Sequence, residues 1–190
     1  MDVFEAMRER RSCRSFKPDP VETEKVDRIL EAGTWAPSPL NAQPWEFIVI
    51  TSPEVRGRVY EESERCRAWA LEKSGWGWLE KYAVDFVRQA PLLISVVGDP
   101  KKTGVDSIQE EGNVAYQHAC AAAIQNMLLA AHALGLGGLW LTLFDRNNLR
   151  KILGVPPERM PVGVLCLGTP EKPARPVPRK DFSEKTRRLA

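Results

Sequence analysis

A chain of 190 residues, 43% hydrophobic and 27% charged, has room for one soluble domain with a full core. Its net charge of +2 is spread over interspersed acids and bases, as in EESERCRAWALEKSG, so no single-sign stripe points to a nucleic-acid partner. No stretch reaches the ~18 apolar residues of a membrane span. The first residues, MDVFEAMRERR, carry Asp2 and Glu5 and no apolar segment, so they do not read as a secretory signal, and a cytoplasmic location is expected.

Val3, Phe4 and Met7 predict a short amphipathic helix running into RERRSCRSF. Val26, Ile29 and Leu30 predict a second helix in VETEKVDRILEAG, ending near Gly33. The connection APSPLNAQPWEF follows, and WEFIVI reads as a buried strand. Residues 53–90 are polar, helical in tone and rich in tryptophan. PLLISVVGD is a second strand, and residues 101–110 are loop-like. A long helix is expected from Glu111 to Leu134, its alanines and Met127 covering nearly every face, closed by Gly135. GGLWLTLF is a third apolar run. Asp145 can N-cap a short helix holding Leu149, Ile152 and Leu153, stopped by Gly154 and Pro156. VGVLCLG is a fourth strand, and the proline-punctuated tail TPEKPARPVPRKDF is extended. Helices and strands mixed at irregular spacing predict an α+β or mixed-sheet layer fold rather than a regular βαβ series.

The four cysteines, Cys13, Cys66, Cys120 and Cys166, form no CxxC pair, which argues against a disulfide scaffold or a zinc site. Cys120 and Cys166 sit in apolar runs and read as small core residues. His118 and His132, if on one helix, stand about 21 Å apart and cannot share a metal. No metal site is expected.

Four segments carry groups suited to a ligand, and each has a plainer reading beside it. In RRSCRSF, Arg10, Arg11, Ser12 and Arg14 offer three guanidinium forks and a hydroxyl, apt for phosphate. On a helical turn Arg10 and Arg14 would point one way, and the segment reads equally as a solvated basic helix end. In APSPLNAQPW, Pro37, Pro39 and Pro44 stiffen the backbone, so Ser38, Asn41 and Gln43 present hydrogen-bonding groups at low entropic cost. A rigid turn capping its own backbone would look the same. In ALGLGGLW, Gly137 and Gly138 leave backbone N–H groups open to a flat ligand, or simply begin a packed strand after a helix C-cap. The GxGxxG spacing of a dinucleotide fingerprint is absent. In the tail, Arg175, Arg179 and Lys180 sit on an extended scaffold that can also be plain solvated chain. Trp69, Trp76 and Trp78 suit a core, an interface or a lid stacking on a planar ligand.

The order of these segments resembles the nitroreductase-like family of FMN-dependent oxidoreductases. RRSxRxF comes near the start, APSPLNAQPW after a helix, LGLGGLW after a long alanine-rich helix and LGTPEKP…PR at the tail. The resemblance runs from about Met1 to Lys180 and is vague only in residues 53–110. It implies a single domain over residues 1–190 with a mixed, mainly antiparallel sheet flanked by helices and a tryptophan-rich helical lid at about 55–90. It also implies completion by homodimerisation, with FMN at the subunit interface.

Carried over residue by residue, Arg10 and Ser12 would hold the FMN phosphate with help from the Arg11 backbone, and Arg179 would clamp it from the tail, with Lys180 a further candidate. Arg14 would reach the pyrimidine edge of the flavin. Pro37, Ser38, Pro39 and Asn41 would come from the other subunit, and Gly137 and Gly138 would supply backbone donors near N5 and O4. Gln43 lies in the motif without an assigned contact. No side chain need act as a catalytic acid or base. The implied activity is ping-pong hydride transfer from NAD(P)H to planar, electron-poor small molecules such as nitroaromatics, quinones or enones. Alternatives on the same fold are oxygen-dependent flavin fragmentation, reductive dehalogenation with Glu72, Lys73, Glu80, Lys81 and Tyr82 as lid groups, and flavin binding without catalysis. The compact chain and its tryptophan-rich middle depart from much of the family, so substrate identity does not carry over.

Overall fold

The computed structural model of the chain describes residues 1–108, 112–173 and 175–189. Its sheet is built from the four apolar runs. WEFIVI forms β1 (Trp45–Ile50), bounded by Pro44 and Pro53. The others are β2 (Leu92–Gly98), β3 (Gly137–Leu141) and β4 (Met160–Gly168). The strand order is β1-β2-β4-β3, and every ladder is antiparallel. This is the α+β architecture expected, with an antiparallel sheet between helices.

Both faces of the sheet are covered, which explains why β2 is buried at every position. On β2 and β4, residues Leu92, Ile94, Val96, Leu165 and Leu167 enter one core. Their neighbours Leu93, Val164 and Cys166 enter the other. The first core is closed by α2 (Thr23–Thr34) and α5 (Ala115–Ala133), through Ile29, Ile124 and Met127. The second is closed by α3 (Pro53–Ser74), α4 (Phe86–Gln89) and α6 (Arg146–Ile152), through Val59, Phe86 and Leu149. A short α1 (Val3–Glu9) leads in, held at its start by reciprocal hydrogen bonds between Asp2 and Glu5.

The long helix begins later than expected. The expected first residue, Glu111, lies outside the described residues, and regular α5 starts at Ala115. Its cap comes from a distance. The Asp106 carboxylate accepts from the backbone N–H of Val114 at 2.5 Å and Ala115 at 2.8 Å, and these bonds hold its pKa below the ordinary value. Cys120 and Cys166 are fully buried, as small core residues should be. His118 and His132 both ride on α5.

The polar segment after β1 resolves into three helical pieces. α3 begins at Pro53 under a Ser52 cap and ends at Gly75, whose φ of 65° is left-handed. A 3₁₀ turn spans Gly77–Lys81, and α4 follows. Trp69, Trp76 and Trp78 are 57%, 59% and 58% exposed, which removes the core reading for all three.

One buried carboxylate ties this segment to α6. Glu62 on α3 is 6% exposed. It accepts from Arg65 Nη2 at 2.7 Å, from the backbone N–H of Asp145 at 2.8 Å and from the Cys66 thiol at 3.3 Å. Burial alone would raise its pKa, but these hydrogen bonds outweigh burial and hold it at about 2. Because the folded value lies below the ordinary 4.5, the stabilisation is complete above that pH and is lost as pH falls towards 2. Glu62→Gln should therefore cost roughly 2 kcal/mol at neutral pH, and the gap from the wild type should narrow between pH 4.5 and 2. Urea denaturation at several pH values measures this; a gap independent of pH would contradict the assignment.

Candidate functional site

After α1 the chain does not continue as a helix. Arg10 caps α1 with φ −55° and ψ 126°, and the following residues run extended beside β3. Ser12 bridges Gly138 in parallel, and the Cys13 N–H donates to the Gly138 carbonyl at 3.0 Å. Farther on, the Lys17 N–H donates to Thr169 at 2.9 Å and the Glu171 N–H to Ser15 at 3.1 Å. The helical-turn expectation for Arg10 and Arg14 is thus corrected. They share a side because an extended backbone alternates, which sets Arg10, Ser12 and Arg14 together.

The two glycines make this strap possible, in a different way from that expected. A Cβ on Gly137 would stand 2.7 Å from Cys13 Cβ and 3.0 Å from Pro170 Cγ. One on Gly138 would stand 2.8 Å from Leu128 Cδ2. The space a side chain would fill is occupied by the protein itself, and the close approach is that of the Arg10–Lys17 strap and the core. A helix C-cap at Gly135, with φ 78°, precedes a packed strand. Both glycines nonetheless reach the wall of the cavity beside them.

That cavity, of about 1070 Å³, is lined by Arg10, Arg11, Ser12 and Arg14 from the strap, by Gly137 and Gly138 from β3, and by Arg179 from the tail. Three stretches far apart in the chain therefore meet. Burial lowers the pKa of half-buried Arg10, and the charges of Arg11 and Arg179 lower it further. No carboxylate pairs with Arg10, Arg11 or Arg179 among the described residues. The Arg11 guanidinium donates to the Arg10 carbonyl at 2.7 Å, while its Nε is buried without a partner. Such a cluster carries the charge and the donors that would attract an anion.

Pro37, Ser38, Pro39 and Asn41 are not brought to this cavity within the chain. Their loop contains a 3₁₀ turn at Pro39–Asn41 and three non-glycine residues at positive φ: Leu40 at 51°, Asn41 at 53° and Gln43 at 45°. Ser38 Oγ accepts from the Gln43 N–H at 3.0 Å, and the Gln43 amide reaches Asn41 Oδ1 at 3.4 Å. Thus Ser38 and Gln43 brace the loop, while Asn41 and Leu40 face outward, Leu40 being 85% exposed. Strain of this kind persists only where surroundings enforce it.

Arg14 has a second set of neighbours. Its guanidinium carbon lies 5.7 Å from the Tyr82 ring centroid and 6.0 Å from that of Phe86. From Tyr82 the aromatic contacts continue to Trp78 at 5.5 Å and on to Trp76 at 6.2 Å.

The sequence profile of the Nitroreductase family matches residues 7–169. The chain belongs to the nitroreductase family. Among its relatives, a provisionally named NADH dehydrogenase/NAD(P)H nitroreductase of Methanothermobacter thermautotrophicus is 32% identical over 90% of this chain and 78% of its own length. A 5,6-dimethylbenzimidazole synthase of Rhodobacter capsulatus is 34% identical over 89% of this chain and 84% of its own. The fold matches that of an oxidised iodotyrosine deiodinase bound to FMN and 3-iodo-L-tyrosine, with a TM-score of 0.81, 23% identity and coverage of 95% and 96% of the two chains. The names printed for these relatives thus span a nitroreductase and a dimethylbenzimidazole synthase, on a fold shared with the deiodinase.

The cavity also has walls that sequence reasoning did not assign. Thr169 and Pro170 leave β4 beside Gly137, and Glu171, Lys172 and Arg175 follow. His132 lines it from the end of α5, with its Nε2 buried and unpartnered. The LGTPEKP run and the tail arginines marked part of this wall; nothing local marked His132. Lys180 does not line the cavity.

Because Cys13 Cβ sits where an alanine methyl would go, Gly137→Ala should push the strap off β3. The expected cost is about 1–3 kcal/mol in stability, with weakened anion binding at Arg10. Thermal melts with and without FMN read both effects; a variant matching the wild type in both would show that the strap has room.

Proposed function

We propose that this nitroreductase-family protein is an FMN-dependent NAD(P)H oxidoreductase that reduces planar, electron-poor acceptors such as nitroaromatics, quinones and enones. The observation that carries the reading is the convergence of Arg10, Arg11, Ser12, Arg14 and Arg179 with the Gly137–Gly138 edge on one cavity large enough for a flavin nucleotide. The donor set fits the cofactor. Guanidinium groups that repel one another and lack a carboxylate partner match a phosphate dianion.

FMN, when bound, supplies the redox chemistry, taking two electrons from NAD(P)H and passing them to an acceptor in ping-pong order. Arg10, Ser12 and Arg179 would hold the phosphate, helped by the backbone of Arg11. Gly137 and Gly138 would bring backbone to the ring from the cavity wall. Arg14 would lie at the ring edge, where its positive charge would favour negative charge on the ring. Pro37, Ser38, Pro39 and Asn41 complete the site from a second copy of the chain, which makes a homodimer the working unit. Exposed Met1, Phe4, Met7, Trp35 and Leu40 give such a dimer apolar surface to cover.

The test is an absorbance spectrum of the purified protein under anaerobic conditions, before and after NAD(P)H. Flavin bands that bleach support the reading; a colourless protein that takes up no FMN, or a yellow one that neither nucleotide bleaches, opposes it. Arg14→Ala should bind FMN, lower its potential and slow its reduction roughly tenfold. Normal FMN binding at an unchanged potential would remove the role given to Arg14. Dilution to monomer should release FMN, as fluorescence would report.

The similarity to a 5,6-dimethylbenzimidazole synthase supports a second reading, in which the bound flavin is itself consumed in air. Following intact flavin in aerated enzyme with NAD(P)H separates the two.

A further inference from the structure

We propose that Lys172 and Arg175 hold the 2′-phosphate of NADPH at the rim of the cavity, so that the protein takes its electrons from NADPH in preference to NADH. The proposal rests on the reductase reading above and names the nucleotide which that reading leaves open.

The cavity carries more positive charge than one FMN phosphate uses. Arg10, Arg11 and Arg14 line it from the strap, and Lys172, Arg175 and Arg179 from the tail. Against these six cations stand two carboxylates, Glu9 and Glu171, and Glu171 already accepts from the Ser15 hydroxyl. A phosphate monoester brings about two negative charges, so roughly two positive charges are left over. Neither Lys172 nor Arg175 pairs with an acid among the described residues. Their setting also differs from that of Arg10. Arg10 is half-buried, whereas Lys172 and Arg175 are exposed. Inner cations suit a resident cofactor; outer ones suit a nucleotide that arrives and leaves at every turnover.

The backbone brings the two together. The tail is tied to the strap where the Glu171 N–H donates to the Ser15 carbonyl at 3.1 Å, and again where the charge of Arg179 reaches Arg10. Lys172 and Arg175 fall between these ties in the chain. Each stands directly before a proline, Pro173 or Pro176. A residue before proline is driven into extended or polyproline conformation. The polyproline helix repeats every three residues, which sets Lys172 and Arg175 on one side with Cα atoms about 9 Å apart. Two such long side chains can close on one phosphate across that gap, a lysine as a point charge and an arginine as a fork. The chemistry then selects the occupant. NADPH and NADH differ only in a phosphate monoester on the adenosine ribose. The neutral rings of the acceptor class would leave a pair of cations idle.

The experiment uses the FMN-loaded protein, the Lys172→Ala/Arg175→Ala double variant and a Lys180→Ala/Lys185→Ala control. The control removes the same charge from the same tail, at residues that do not line the cavity. At low salt the wild-type kcat/KM should favour NADPH over NADH about tenfold or more, and the margin should shrink as salt rises. In the double variant the ratio should fall to about one through loss with NADPH, while the control keeps the wild-type ratio. Calorimetric titration of the oxidised protein with 2′,5′-ADP and 5′-AMP puts the same question without turnover. The wild type should bind 2′,5′-ADP about tenfold more tightly than 5′-AMP, and the double variant should bind them equally. FMN affinity should be the same in all three proteins. A wild type indifferent to the 2′-phosphate in both arms would overturn the proposal, as would a double variant that keeps the preference or a control that loses it. FMN affinity falling in the double variant as far as 2′,5′-ADP affinity would also overturn it, assigning the pair to the cofactor phosphate. Wild-type protein that neither nucleotide bleaches would sink the reductase reading instead, and the 2′,5′-ADP arm would still judge the phosphate site.

Discussion

Crowding of like charge at Arg10, Arg11 and Arg179 is the constraint from which the rest of the site follows. Guanidinium groups cannot shed their protons to relieve repulsion at any working pH, so a bound anion would relieve it. The fold brings them together at a cost in self-repulsion and partial desolvation, with no acid pairing with them among the described residues. The devices that hold them are cooperative. The strap bridges Gly138 and Thr169, the glycines let it approach, and α5 and β4 back the glycines through Leu128 and Leu167. The strap is held by backbone pairing with β3 and with the chain after β4, whereas Arg179 reaches the cavity from the extended tail.

The fold was legible where local pattern decides. WEFIVI, apolar but for Glu46 and set between prolines, became β1 at those residues, although as an edge strand it buries only Ile50 rather than its whole length. Asp145 caps α6 because a side-chain oxygen three residues before Asn148 is sufficient cause for a helix start. Elsewhere the deciding partner was remote. The Arg10–Arg14 segment looks like a helix end but is drawn out straight by bridges to β3 and to the chain after β4. The beginning of α5 depends on Asp106, eight or nine residues earlier, which propensity within the helix cannot reveal. The long α3 is polar around most of its girth and shows weak periodicity, although Glu62, Ser63 and Cys66 on it are buried.

The candidate site was legible as an inventory more than as geometry. Motif order brought Arg10, Ser12, Arg14, Gly137, Gly138 and Arg179 under one expectation, and one cavity gathers them. Why the glycines are needed was not legible, since the atoms that crowd them belong to Cys13, Pro170 and Leu128, all distant in sequence. Nor was His132, which an isolated helical position does not distinguish from any surface histidine. The prolines pointed to a constrained loop from Pro37 to Gln43; its positive-φ residues and the Ser38–Gln43 hydrogen bond were not legible.

Comparing FMN with riboflavin isolates the cationic cluster from every other contact, because the two ligands differ only in the phosphate. Fluorescence titration of apoprotein should find FMN bound about 100-fold or more tightly than riboflavin at low salt. That margin should collapse in Arg10→Ala and in Arg179→Ala while riboflavin affinity holds. Equal affinity for the two ligands in the wild-type protein would contradict the account at its root.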